Sequence, residues 1–253
     1  MNNSRISTVR QYFDEYSDEY VDLRLNNLVA LHRKKNAFFN LHAHYNSAAP
    51  LRVLDIGSGG GIWPDLFLED YPLSQIVCLD ISLGMLRRNR SRPRKYAAVG
   101  DGKQLPFPKS CFDLINLDSL MHHLVVDRGG YLGTILNIIE FLGSLKSVLR
   151  PRGKLIISEV YHESYIRDDM VNRLLFIVST STLPRLLTHP IRRFIRTQGI
   201  GICFLSRKQW FWVIARSGYR VEGWKELKWD IPFLRRLAGF KASGDIFFLL
   251  SPI

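Results

Sequence analysis

Residues 53–61 read VLDIGSGGG. Val53 and Leu54 lead into an acidic residue, Asp55, and glycines follow at 57, 59, 60 and 61. The run after them, Ile62 to Tyr71, has a helical composition. The pattern is that of a strand, a tight turn and a helix N-terminus. Glycine suits such a turn because the chain reverses with positive φ and a ligand can approach the backbone with no Cβ in the way. The start of the helix adds unpaired N–H groups and the positive end of its dipole. A small anionic or zwitterionic ligand is therefore expected in the crevice.

A dinucleotide loop would need glycines in the order GxGxxG, and after Gly57 and Gly59 the third position falls on Ile62. Asp55 also stands at the strand tip, where its charge would oppose a pyrophosphate but pair with an ammonium. A ligand with both a carboxylate and an amino group, such as the methionine part of S-adenosylmethionine, satisfies both features. Asp55, Gly57, Gly59 and Gly61 resemble the D/E-x-G-x-G-x-G loop of Rossmann-like (class I) S-adenosylmethionine-dependent methyltransferases, and VRQYFDEYSDEY at 9–20 resembles the N-terminal segment of the ubiquinone/menaquinone-biosynthesis type. The resemblance implies an α/β fold: a Rossmann-like, doubly wound, seven-stranded sheet, mostly parallel with an antiparallel last strand, plus an inserted helical lid.

Further pieces follow in order. Gln75 to Ile81, QIVCLDI, has the apolar continuity of a strand buried on both faces. Its Asp80, 25 residues beyond Asp55, can accept the two ribose hydroxyls. Ser82 can cap the next helix in its place. A strand from Tyr96 to Val99 leads to Asp101-Gly102, then to LPF at 105–107 and FD at 112–113. The resemblance makes Asp101 the acceptor for the adenine amino group and sets the Gly102 N–H against the ring. The fourth strand, Leu114 to Leu117, ends in DSLMHHL at 118–124, similar to the family's hHL signature. The cofactor contacts so implied are Asp55, Gly57, Ser58, Gly59, Gly61, Asp80, Ile81, Asp101, Gly102 and Asp118.

An amphipathic helix is expected from Leu132 to Arg150, stopped by Pro151. The turn RPRG at 150–153 is expected as type I, before a fifth strand from Lys154 to Val160. Ser206 can cap a helix through Ala215, and strands are expected over Tyr219 to Leu227 and Asp245 to Leu250. One methyltransferase domain over 1–253 is anticipated: an N-terminal helical segment (1–48), a cofactor-binding core (49–160), an inserted lid (161–205) and the C-terminal part of the sheet (206–253).

With 46% hydrophobic residues, 253 residues can bury one sizeable core. Three widely spaced cysteines argue against a disulfide framework, the start lacks the apolar core of a signal peptide, and no run reaches the ~18 apolar residues a membrane span needs. A soluble, cytoplasmic protein is expected. The net charge is +12, and residues 170–220 contain no Asp or Glu. That asymmetry suits an acidic partner or a merely solvated basic face. Peripheral contact of the lid with an anionic membrane surface is compatible with it.

Transfer from a sulfonium is an in-line displacement, so the protein mainly holds the acceptor on axis. A base is needed only where the acceptor keeps its proton at pH 7. His122, His123 and His162 are the candidate bases, with loop or packing roles as the alternative. No metal is required. The expected acceptor is a small hydrophobic or anionic metabolite, quinone- or lipid-like. The runner-up acceptor is nucleic acid, although the fourth strand ends in NLDS, without the Asn-Pro-Pro-aromatic tetrad of amino methyltransferases. A non-catalytic, cofactor-binding regulatory protein is the reading of a different class.

Overall fold

The computed structural model describes residues 3–181 and 200–253. The expected lid therefore lies partly outside the described residues, including its Arg185, Arg192, Arg193 and Arg196.

One sheet of seven strands organises the chain: β1 (Arg52–Ile56), β2 (Gln75–Asp80), β3 (Lys95–Val99), β4 (Phe112–Asp118), β5 (Leu149–Ser164), β6 (Tyr219–Lys228) and β7 (Phe240–Pro252). Their order is β3-β2-β1-β4-β5-β7-β6. The first five are parallel, and β7 inserts antiparallel between β5 and β6. The strand order reverses between β1 and β4, which opens a crevice at their carboxyl ends.

Strand side chains alternate faces, and each face has its own apolar cluster. Leu54, Ile115, Leu117, Leu155, Ile157 and Phe248 pack with α4 (Gly130–Ser144) and α6 (Arg207–Arg216), among them Ile138, Leu142, Trp210 and Ile214. Val53, Leu114, Ile156, Phe247 and Leu249 pack on the other face with α1 (Asn3–Ala43) and α2 (Ile62–Asp70), through Phe38, Phe39, Trp63 and Phe67. The remaining helices are α3 (Leu83–Arg88), α5 (Met170–Thr180) and α7 (Phe233–Leu237).

Local signals read correctly include two caps. Ser82 Oγ accepts from Met85 N at 3.0 Å, and Ser206 forms a reciprocal capping box with Gln209. Two expectations are corrected. The helix expected through Arg150 ends at Ser144, followed by a 3-10 turn over Leu145–Ser147. Its apolar spacing continues, but Pro151 forces Arg150 towards extended backbone, and Leu149 already pairs with Phe112 of β4. The RPRG turn is not type I: Arg152 has φ 69°, the value a type II turn needs at its third position. Strands β5 and β7 are also longer than expected because they pair with each other from Leu155 to Ser164.

Candidate functional site

The crevice is a cavity of about 190 Å³ at the carboxyl ends of β1, β2 and β4. Of the ten residues expected to contact a cofactor, nine line it: Asp55, Gly57, Ser58, Gly59, Asp80, Ile81, Asp101, Gly102 and Asp118. Gly61 instead forms the N-cap of α2 in the left-handed conformation. The loop glycines 57, 59 and 61 have φ of 73°, 53° and 73°, so the backbone turns as their spacing predicted.

The carboxylates are fixed from several directions. Asp80 Oδ2 accepts from Gly59 N and Oδ1 from Ser82 N, both at 2.8 Å. It thus braces the glycine loop against the next helix. Burial pushes its carboxyl up, and the donors at Ser82, Gly59 and Ile81 offset part of that. Asp55 is buried, and Asn116 Nδ2 donates to it at 2.5 Å. Burial pushes its carboxyl up to about 6, against the pull of Asn116 and of Lys35 nearby. Asp101 Oδ1 accepts from Lys103 N at 2.9 Å.

Asp118 is held by helix α1. The Lys35 ammonium pairs with its Oδ2, and His32 Nδ1 lies 3.0 Å from the same oxygen. Burial works against its ionised form, but Lys35 and then His32 outweigh this and hold Asp118 well below the usual carboxylate range. Lys35 Nζ also reaches Asn116 Oδ1 at 3.1 Å, so one buried ammonium organises both acidic residues of the cavity floor. Farther along α1, Val9, Phe13, Leu28 and His32 line the cavity, and Asp14 accepts from Ser82 Oγ at 2.6 Å and Gly84 N at 2.8 Å.

The three histidines sit differently. His123 lines the cavity, edge-on to Phe13 at 5.3 Å. His122 is buried behind it, with ring centroids 4.1 Å apart. Its Nδ1–H donates to Glu159 Oε2 at 2.8 Å, while Glu159 Oε1 accepts from Met121 N at 2.6 Å. His162 is buried against Phe204, Phe240 and Trp229, with Nδ1 2.8 Å from Ser243 Oγ. Burial, then Arg235 and His122, lowers its pKa to about 3. Neither His122 nor His162 lines the cavity. A row of rings, His123–His122–Phe204–His162–Phe240, nevertheless leads from the cavity across the sheet edge, with centroid steps of 4.1, 5.0, 4.9 and 5.2 Å.

Sequence reasoning missed Lys35, His32, Asp14, Asn116 and Glu159. Lys35 had a signal: it stands four residues after Leu31 and three before Phe38, on the apolar face of a helix. A lysine there must find a buried partner.

This architecture and its ligand-facing edge define a Rossmann-like methyltransferase fold. The Leishmania major SAM-dependent methyltransferase of known structure superposes with a TM-score of 0.63 at 13% identity, over 98% of this chain and 83% of that one. Residues 54–157 match the family described as Methyltransferase domain. Residues 54–157 thus resemble the methyltransferase family, and the chain shares its fold with S-adenosylmethionine-dependent methyltransferases of known structure. An uncharacterised protein of Methanocaldococcus jannaschii is 26% identical over 168 residues, 65% of this chain and 66% of that one. The demethylmenaquinone methyltransferase of Renibacterium salmoninarum is 30% identical over 115 residues, 45% of this chain and 43% of that one. The chain thus spans just under two thirds of the first relative and less than half of the second.

The family's cofactor is S-adenosyl-L-methionine, and the residues present fit it. Four carboxylates, Asp55, Asp80, Asp101 and Asp118, line the cavity, with Lys103 the one lysine or arginine among its lining residues. Such a lining suits a ligand that carries a sulfonium and an ammonium, and opposes a pyrophosphate. Among the described residues, no group of three or more His, Cys, Asp or Glu is arranged to hold a metal, and no helix is long and apolar enough to cross a membrane.

Proposed function

We propose that this protein transfers a methyl group from S-adenosyl-L-methionine to a small lipophilic acceptor of quinone, phenol or lipid type. The observation that carries this reading is the acidic, glycine-floored cavity with an imidazole, His123, on its wall. The relative that acts on demethylmenaquinone supports the acceptor class.

When bound, S-adenosyl-L-methionine supplies an activated methyl on a sulfonium, open to in-line displacement. Asp55, steadied by Asn116, pairs with the ammonium, while the glycine loop and the start of α2 offer N–H groups to the carboxylate. Asp80 takes the ribose hydroxyls, and Asp101 with Gly102 holds the base. Phe13, Leu28 and Leu120 keep water from the acceptor side. His123 takes the proton of an acidic acceptor, and Glu159 and His122 behind it fix the ring it packs on.

The test is calorimetric titration with S-adenosylhomocysteine, repeated on Asp80→Ala. Micromolar binding by the wild type, weakened about 10- to 100-fold in the variant, is expected for a lost charged hydrogen-bond acceptor. A screen of lipophilic phenols and quinols for methylation follows. Absence of binding by folded wild-type protein would overturn the proposal, and binding with no turnover on any acceptor class would favour a non-catalytic cofactor-binding protein.

A further inference from the structure

Helix α7 buries none of its side chains. Phe233, Leu234 and Leu237 are 71%, 69% and 69% exposed, an unusual cost for three large apolar residues in five. Beside them, Tyr165 N donates to Gly239 O at 3.2 Å, which brings the corner Tyr165-Ile166, 62% and 77% exposed, to the same place. The result is one apolar patch drawn from two chain segments.

Its charge is predominantly basic. Residues 230–244 hold Arg235, Arg236 and Lys241 against one acidic residue, the exposed Asp230 at the border. The acidic residues of the neighbouring loop are already engaged, Asp168 by Lys208 and Asp169 by Arg173, each at 2.7 Å. Arg167 is exposed on the same loop. Apolar side chains ringed by arginines match an interface in which the rings and leucines enter the acyl boundary and the guanidinium groups reach anionic headgroups. A second copy is the poorer occupant, because a two-fold contact through this patch would set Arg235 and Arg236 against their own equivalents.

We propose that α7 and the Tyr165-Ile166 corner dock this protein on an anionic lipid bilayer. The contact does not depend on methyl transfer. It has a consequence for it, since the patch adjoins the ring row: the Arg235 guanidinium lies 6.0 Å over Phe240, the last ring of the path from His123. A lipophilic acceptor dissolved in the bilayer would then meet the protein on the side where that row surfaces.

The experiment is flotation of the full chain with vesicles of phosphatidylcholine alone or with about a third phosphatidylglycerol, at low and at physiological salt. Binding to the anionic vesicles, weakened by salt, is expected. Arg235→Ala with Arg236→Ala should weaken it by about fivefold per arginine, and Leu234→Ser with Leu237→Ser by about tenfold or more. Leu234, Leu237 and Arg236 are exposed, Arg235 is half-buried and none of the four lines the cavity, so circular dichroism and S-adenosylhomocysteine affinity should match the wild type. Folded protein that ignores anionic vesicles, binds neutral ones equally, or is unaffected by both double variants overturns the proposal. So does a dimer, seen by sedimentation, that Leu234→Ser with Leu237→Ser abolishes, because it assigns the patch to a second copy.

Discussion

Lys35 of α1 is wholly buried and ion-paired with Asp118 at the tip of β4, 83 residues away in the chain. The pair fastens the N-terminal helix to the floor of the cavity and, through Asn116, steadies Asp55 as well. Lys35→Met would leave the largely buried Asp118 with only His32 and the Ser119 hydroxyl beside it. Removing one partner of a buried pair costs about 3–5 kcal/mol. Urea unfolding should show a loss of that size, and adding Asp118→Asn should recover part of it by removing the stranded charge. A Lys35→Met protein as stable as the wild type would show that the pair contributes nothing net.

On the proposed function, Asp55 should set the pH dependence of cofactor binding. Its carboxyl stands at about 6 in the folded protein against 3.8 for an ordinary aspartate. The native state therefore binds this proton more tightly than the unfolded state, and the stability Asp55 contributes falls as pH rises from about 4 to 6. An ammonium ligand needs the ionised form. S-adenosylhomocysteine affinity should rise with pH and level off above about 6, with a slope approaching tenfold per unit below that. Calorimetry between pH 5 and 8 reads it. Asp55→Asn should bind weakly with no such slope, and an identical slope in that variant would assign the titration elsewhere.

The parts of the site legible in the sequence are those whose cause is local. The glycine loop, the acidic strand tips at Asp55 and Asp80, and the Ser82 and Ser206 caps each follow from residues within a few positions of one another. What was not legible depends on distant segments. Asp118 looked like a residue free to meet ligand, yet its Oδ2 is shared by Lys35 and His32 from a helix whose path over the sheet edge no local pattern specifies. Likewise, Glu159 lay in an expected strand, and only the fold brings it 2.8 Å from His122. The Arg152 turn failed for another reason: arginine in place of glycine at the third position suggested type I, whereas pairing of β5 with β4 on either side fixes the backbone.

Gly61 offers a test of the loop separate from ligand contacts. Its φ is 73°, and a Cβ there would lie 2.1 Å from Asn89 Oδ1. Gly61→Ala should therefore cost about 1–2 kcal/mol for the left-handed backbone, plus the displacement of Asn89. In an Asn89→Ala background the clash is gone and the backbone term remains. Denaturant unfolding of the two singles and the double should thus leave about 1 kcal/mol or more of penalty in the double relative to Asn89→Ala. Complete recovery would mean that the loop relaxes out of the left-handed region.

The histidines can be separated by the shape of a pH profile. His123 is on the cavity wall, whereas His122 is committed to Glu159 and His162 is kept neutral in an aromatic pocket. With a phenolic acceptor, whose proton must leave during transfer, His123→Ala should lower kcat by about 100-fold or more at pH 7 with little change in KM. Activity should return as pH approaches the acceptor's own pKa, because the ionised phenol needs no base. His162→Phe should lower stability through the lost Ser243 contact and leave the profile's shape alone. A His123→Ala enzyme with wild-type kcat at pH 7 would remove this imidazole from the chemistry and leave positioning of the acceptor as the protein's whole contribution.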